Sequence, residues 1–307
     1  MSPSELRKAL MSRYARWRFN RVVRNVRRLP ALSRGNMPFT LLSMVHTRDV
    51  ESYMLAARSF ARFLNPGRIV VVCDPSITEE DRASMRACIP HIELRSATEF
   101  RHPELPVGGC WERLFAITEY ACDSYVIQLD ADTTALGDMP EIRDAIAGGI
   151  AFTHGERVDQ QIISIADAVA FIEKFALRER PHVQALAEYA LRKLTPDMPQ
   201  RYVRGCAGFS GFPPDPQLRD RLLAFAAQMK TLLADRWADW GTEQFASNYL
   251  IANYLRAEVL PLPRYCAAVQ SDATTVFIHF IGYCRFTNLK YSRHARSIIS
   301  RLVRASA

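Results

Sequence analysis

The hydrophobic pattern of the chain changes near residue 37. Residues 4–28 mix arginines with recurring apolar residues and contain no proline or glycine, which predicts a helix with an imperfect apolar stripe. Pro30, Gly35 and Pro38 then interrupt this pattern. We therefore predict a helical arm and linker over residues 1–36, followed by a domain with a different pattern.

From Phe39 onward, short apolar runs alternate with helix-like segments. The pattern predicts strands at 40–45, 69–73, 92–94 and 125–129, and helices that end near 64 or span 78–88 and 111–122. Such alternation with short turns is typical of a three-layer α/β domain with a mostly parallel sheet. We place this domain at residues 37–286, with a charged helical insert at 156–194 and a basic tail at 287–307.

The charge of the chain is unevenly distributed. Its 307 residues carry a net charge of +8, but residues 1–34 alone hold ten basic residues against one acid, Glu5. The remainder of the chain is therefore nearly neutral, which argues against nucleic-acid binding by the domain. Residues 273–307 are again basic and lack acids, so the excess charge belongs to the two ends.

Three negative features bear on localisation. No apolar run approaches the roughly 18 residues of a membrane span, and the first residues lack the apolar core of a signal peptide. The seven cysteines contain no CxxC pair or Cys/His cluster, so neither a disulfide framework nor a structural zinc site is indicated. We expect a cytoplasmic protein whose arm docks on the inner face of the cytoplasmic membrane. A solvated arm or an RNA-scavenging tail is the alternative.

Two acids end the apolar run at residues 125–129. Asp130 and Asp132, separated by one residue, would lie at the carboxyl edge of the sheet, where α/β folds bind ligands. Carboxylates there can hold a divalent cation and, through it, a diphosphate. An ordinary Asx turn is the alternative interpretation of the same residues.

A second motif, HxxGxxR, follows the apolar run Val276–Ile278. Its imidazole, His279, is a suitable Mn²⁺ ligand and could complete a site with Asp130 and Asp132. Gly282 would let the backbone approach a phosphate, and Arg285 could form charge-assisted hydrogen bonds to it. A histidine packed inside a strand is the alternative.

These segments resemble GT-A glycosyltransferases of the glycogenin and bacterial lipopolysaccharide galactosyltransferase type. The similar segments are CWERLFAITEYACDSYVIQLDADTTALGDMPEI, which contains the DxD, the opening strand–helix–strand from Thr40 to Met85, and HFIGYCR at 279–285. The resemblance covers roughly residues 39–145 and 201–286. It implies a GT-A fold and a hexosyltransferase-like enzyme that retains the anomeric configuration.

The resemblance also implies roles for individual residues. Arg113 would contact the donor phosphate or sugar, and Glu243 and Gln244 would line the transferring sugar as catalytic groups. Three positions depart from the family. Arg285 stands where lysine is usual, Cys206 stands where asparagine is usual, and residues 46–49 (HTRD) stand where the relatives usually place acids near the nucleobase. We expect Cys206 to be a packed thiol, because the sequence shows no neighbouring base; a catalytic cysteine is the alternative.

The predicted chemistry is metal-dependent glycosyl transfer. Mn²⁺ or Mg²⁺ would be held by Asp130, Asp132 and His279, and the donor would be a nucleotide-diphosphate sugar, with UDP expected from the resemblance. The acceptor would be a glycan or a lipid-linked molecule of cell-envelope or lipopolysaccharide synthesis. Two other classes stay open: a nucleotidyltransferase with the same strand-end acids, and a non-catalytic basic adaptor for membranes or nucleic acid.

Overall fold

A seven-stranded sheet forms the centre of the protein. The computed structural model describes residues 2–175, 181–195 and 197–306. Across the sheet the strand order is β10-β6-β9-β4-β1-β2-β3. These strands are β1 (Met37–Val45), β2 (Pro66–Cys73), β3 (Ile92–Ser96), β4 (Tyr125–Leu129), β6 (Ala151–Gly155), β9 (Gly205–Phe212) and β10 (Ala257–Leu260).

The sheet is mostly parallel, as the alternating pattern predicts. Strand β1 pairs in parallel with β2 and β4, β2 with β3, and β10 with β6. Strand β9 is the exception, because it lies antiparallel between β4 and β6. The four strands predicted from the sequence are all present.

Helices cover both faces of this sheet and complete a three-layer α/β fold. Leu41 and Leu42, neighbours on β1, belong to the two separate apolar cores on opposite faces, as the alternation of side chains along a strand requires. The helices are α1 (Pro3–Val23), α2 (Val50–Ala61), α3 (Glu79–Cys88), α4 (Trp111–Tyr120), α5 (Pro140–Gly148), α6 (Ile165–Phe175), α7 (Val183–Ala190), α8 (Leu218–Leu233), α9 (Thr242–Ala252) and α10 (Lys290–Ser306).

Two small sheets lie beside the central one. One contains β11 (Tyr265–Ala267), β12 (Phe277–His279) and β5 (Thr133–Ala135), and the other contains β7 (Ile163–Ser164) and β8 (Arg201–Tyr202). Strand β12 runs antiparallel to β5, with His279 opposite Thr133. This register brings the HxxGxxR segment to the DxD turn.

The predicted arm forms helix α1, which continues as a 3₁₀ turn over Arg24–Arg28. Its buried face packs against α10, where the ring of Phe19 stacks on Tyr291 with centroids 3.8 Å apart. The predicted insert contains α6 and α7, and residues 176–180 of it, like Ala307 of the tail, lie outside the described residues. None of the helices in the described part of the chain has the length and apolar character that crossing a membrane requires.

Candidate metal and donor site

The two acids of the DxD motif lie in a tightly bonded turn after β4. The N–H of Asp130 donates to the carbonyl of Gly208 on β9 at 2.9 Å. The hydroxyl of Thr133 donates to the carbonyl of Asp130 at 2.9 Å. The N–H of Phe280, which follows β12, donates to the carbonyl of Asp132 at 2.8 Å. Hydrogen bonds from three elements therefore hold the backbone of this turn in place.

Asp130, Asp132 and His279 come together as the sequence predicts. One ligand atom from each lies within 4.8 Å of the others. Nε2 of His279 is 3.1 Å from Oδ1 of Asp132 and 3.6 Å from Oδ2 of Asp130. Two carboxylates and an imidazole form a donor set that suits Mn²⁺, and the carboxylates also suit Mg²⁺.

The imidazole of His279 is held between two residues of β9. Nδ1 lies 3.3 Å from the thiol of Cys206. On Gly208, an added Cβ would lie 2.1 Å from Cε1 of the ring and 2.4 Å from Nδ1. Because real Cβ atoms do not approach so closely, only glycine fits beside the ring at this position.

Titration of Asp132 and His279 is coupled by their contact. Burial opposes the ionisation of Asp132, but His279 and Arg285 outweigh it and lower the pKa of this carboxyl. Burial likewise opposes protonation of His279, yet Cys206 and Asp132 raise its pKa well above the ordinary value. A cation that takes Nε2 of His279 as a ligand therefore competes with a proton for it.

Arg113 bridges two carboxylates. It lies buried on α4, where it donates to Asp130 and, through Nη2, to both carboxylate oxygens of Glu243 on α9 at 3.1 and 3.2 Å. Trp111 of α4 donates to the hydroxyl of Thr242 on α9 at 3.1 Å and so joins these two helices. Burial raises the pKa of Glu243 to about 7, against the opposing effect of Arg113.

Gln244 lies next to Glu243 at the start of α9. Its Oε1 accepts a hydrogen bond from the N–H of Ala207 at 3.2 Å, which leaves the amide nitrogen free of any hydrogen bond among the described residues. The resemblance places this amide beside the transferring sugar. Its partner Ala207 lies on β9 between Cys206 and Gly208, the two residues that adjoin the imidazole of His279.

Arg285 reaches the same edge from the HxxGxxR segment. Its Nη2 lies 2.8 Å from Oδ1 of Asp49 and 3.0 Å from the hydroxyl of Ser52, and Nη1 lies 3.8 Å from Oδ2 of Asp132. The sequence analysis did not select Asp49. Its position after β1, whose carboxyl end points to the same edge as that of β4, was the available signal. Gly282 has open space around its Cα, with no heavy atom within 4 Å of an added Cβ.

Carboxylates outnumber guanidinium groups in this cluster. The carboxylates of Asp49, Asp130, Asp132 and Glu243 lie around two guanidinium groups, those of Arg113 and Arg285, and the single imidazole of His279. A divalent cation would offset the surplus negative charge, and a diphosphate on that cation would meet the guanidinium of Arg285. The residues present therefore fit a metal and an anionic donor together.

Comparisons with known proteins identify solved structures of similar fold. No protein-family model and no curated protein sequence matches the chain. The bifunctional glycosyltransferase WbbM has a similar structure, with a TM-score of 0.54, 16% identity, and coverage of 89% of this chain and 53% of WbbM. The galactosyltransferase LgtC, solved with donor and acceptor sugar analogues, gives a TM-score of 0.50, 11% identity, and coverage of 86% and 96%.

These similarities concern the fold. The chain spans about half the length of WbbM and nearly all of LgtC. The GT-A fold that the family resemblance implies is confirmed, together with the predicted α/β class and the mostly parallel sheet.

Proposed function

We propose that this chain is a metal-dependent glycosyltransferase that uses a nucleotide-diphosphate sugar as donor. The observation that carries the proposal is the cluster of Asp130, Asp132 and His279 at the carboxyl edge of a GT-A sheet. These three residues would hold Mn²⁺ or Mg²⁺. A bound divalent cation neutralises the charge that develops on a departing diphosphate.

The protein's own groups would act on the donor from two sides. Arg285 lies close enough to Asp132 to reach a phosphate beside it, and its planar fork can bind two phosphate oxygens. Arg113, held by Glu243, would fix the carboxylate of Asp130 and contact the donor. UDP as the nucleotide and retention of configuration are expectations from the family resemblance.

Gln244 is our candidate for the group that faces the transferring sugar. Its anchored Oε1 leaves an amide N–H₂ as donor, which suits the hydroxyl oxygens of a sugar. Substitution Gln244→Ala should lower kcat with a smaller effect on donor KM. Glu243, the preceding residue, pairs with Arg113.

A lipid-linked or envelope-glycan acceptor would suit the surface of α1. Its outward face carries an exposed apolar row at helical spacing, flanked by basic residues. The row consists of Leu6, Leu10, Tyr14 and Trp17. A helix of this kind can lie in the interface of an anionic membrane, so we propose peripheral docking there. Lipopolysaccharide or related envelope synthesis is the setting we infer.

Nucleotide release from a panel of nucleotide sugars tests the proposed activity. With Mn²⁺ and an acceptor mixture from cell envelopes, we expect release of a nucleoside diphosphate, and Asp132→Asn serves as the inactive control. Release of pyrophosphate from nucleoside triphosphates would instead identify a nucleotidyltransferase. Absence of turnover with every donor would favour the third class, a non-catalytic adaptor.

A further inference from the structure

Helices α1 and α10 leave a groove between them on the outside of the protein. It comprises two adjoining pockets of about 460 and 300 Å³, which share Arg18, Arg296 and Ser300 as lining residues. We call it the arginine groove, defined by Arg18 and Arg21 from α1 and by Arg293 and Arg296 from α10. It lies apart from the carboxylate cluster and takes no part in the chemistry proposed above.

The four arginines of the groove have no carboxylate partner among the residues that the structure describes. Arg27, nearby, pairs with Glu51 at 2.7 Å. Within the groove Arg21 lies over the ring of Trp17, 5.7 Å from its centroid, a contact that does not neutralise its charge. Helix α1 has only one acid, Glu5, at its far end, and α10 has none. Four like charges in a concave surface create a positive potential that attracts anions.

The groove also has the hydrogen-bonding groups that a phosphate requires. Guanidinium forks bind phosphate oxygens in a bidentate manner, with specific geometry as well as charge. The hydroxyls of Ser297 and Ser300 line the pockets and are exposed. Hydrogen-bond donors from two helices therefore line one groove. This arrangement suits direct binding of an anion in addition to long-range attraction.

The surroundings of the groove indicate an amphiphilic ligand. Trp17 lines the larger pocket, is 54% exposed, and stacks with Tyr14 at a centroid distance of 5.8 Å. Beyond Tyr14, Leu10 and Leu6 continue the exposed apolar row. A ligand whose phosphate lies in the groove would thus have its apolar portion beside this row. Trp17 would lie between the phosphate and the apolar portion, and aromatic side chains of this kind favour the membrane interface.

We propose that the arginine groove binds the phosphate headgroup of an anionic phospholipid. The proposal rests on the docking of α1 proposed above and specifies its chemistry. Docking by charge alone would depend on the number of arginines and not on their position. Binding in the groove depends on position. Substitution of Arg18 and Arg296 should therefore weaken vesicle binding more than substitution of two exposed arginines elsewhere on the same helices.

Vesicle co-sedimentation of the full chain separates these two cases. The groove variant is Arg18→Gln with Arg296→Gln, and the matched control is Arg13→Gln with Arg304→Gln, which removes the same charge from the same helices. With phosphatidylglycerol–phosphatidylcholine vesicles, we expect the groove variant to lose roughly tenfold more partitioning than the control, because bidentate contacts exceed point-charge attraction. The Arg18→Lys, Arg296→Lys variant should recover only part of this loss.

The outcomes test the headgroup site and membrane docking separately. Equal losses in the groove and control variants overturn the headgroup site while leaving docking intact. A wild-type chain that binds anionic vesicles no better than pure phosphatidylcholine overturns docking and the groove with it, without bearing on glycosyl transfer. Displacement of short-chain phosphatidylglycerol by equimolar inorganic phosphate would assign the groove to free phosphate. Thermal unfolding of every variant checks that the helices remain packed.

Discussion

The thiol of Cys206 lies 3.3 Å from Nδ1 of His279, and Nε2 of the same ring faces Asp132. A partner on one ring nitrogen fixes the tautomer available at the other, which is how the surroundings of a metal ligand usually orient it. Cys206 is thus a candidate positioning residue for this imidazole. No base other than this imidazole contacts it among the described residues.

We predict that Cys206→Ala weakens Mn²⁺ binding by roughly 10- to 100-fold, the usual effect of losing an outer-shell partner. Cys206→Ser should retain most of the affinity, because a hydroxyl can replace the thiol. Calorimetry with Mn²⁺ gives the affinities, and ¹⁵N NMR of the labelled imidazole gives the tautomer. Equal affinity and an unchanged tautomer in the alanine variant would remove this role.

Asp130→Asn and Asp132→Asn should each abolish metal-dependent turnover and weaken Mn²⁺ binding by more than the roughly 100-fold upper range for outer-shell losses. The reason is that each substitution removes a charged ligand. Asp138→Asn is the matched control, because Asp138 pairs with Arg143 at the surface. Full activity of either site variant in excess chelator would contradict the metal assignment.

His279→Ala and Arg285→Ala should separate metal binding from donor binding. We expect the first to weaken Mn²⁺ binding and, through it, donor binding, whereas the second should mainly weaken binding of the donor diphosphate. Calorimetry with Mn²⁺ alone and then with a nucleoside diphosphate makes the distinction. If both variants keep the wild-type affinity for the nucleotide, the assignment of these residues to the donor site fails.

Two glycines provide a matched pair of alanine substitutions. Gly208→Ala should displace the imidazole of His279 and lower metal affinity, because the new Cβ would lie 2.1 Å from the ring. Gly282→Ala meets no atom within 4 Å, so the fold and the free metal site should be unaffected. If Gly282 lets the backbone approach a phosphate, its variant will lose donor affinity alone.

The stability of the metal-free protein should fall between about pH 5 and pH 8 through Glu243. Its pKa is raised from 4.5 to about 7, so in this range the folded state binds more protons than the unfolded state. Stability is therefore full below the unfolded pKa and is lost as the pH rises through the folded pKa. Glu243→Gln should flatten this part of a plot of melting temperature against pH. An unchanged slope would contradict the shifted pKa.

The sequence predicts much of this site because part of it is local. Asp130 and Asp132 follow a recognisable strand, and His279 and Arg285 belong to one short motif. The contact between Arg113 and Glu243 spans 130 positions, and no local pattern reveals which carboxylate a buried arginine will bind. Asp49 was missed for the same reason, since its partner Arg285 reaches it only after the sheet has formed.

The helical arm shows a different limit of sequence reasoning. Its composition predicts a helix, but the imperfect apolar stripe does not show that the helix has one buried apolar face and one exposed apolar row. Phe19, Val22, Val23 and Val26 are buried, whereas Leu10 and Trp17 are exposed. The division becomes visible only when α10 is in place, because packing decides which apolar residues remain at the surface.

The stacking of Phe19 on Tyr291 joins segments that are translated far apart in time. Helix α1 leaves the ribosome long before α10. Until α10 is made, the apolar side of α1 stays exposed unless a chaperone or a lipid surface binds it. The same dependence governs protein engineering. Trimming either helix to obtain a shorter domain would uncover the aromatic ring of the other, and the shortened protein would tend to aggregate.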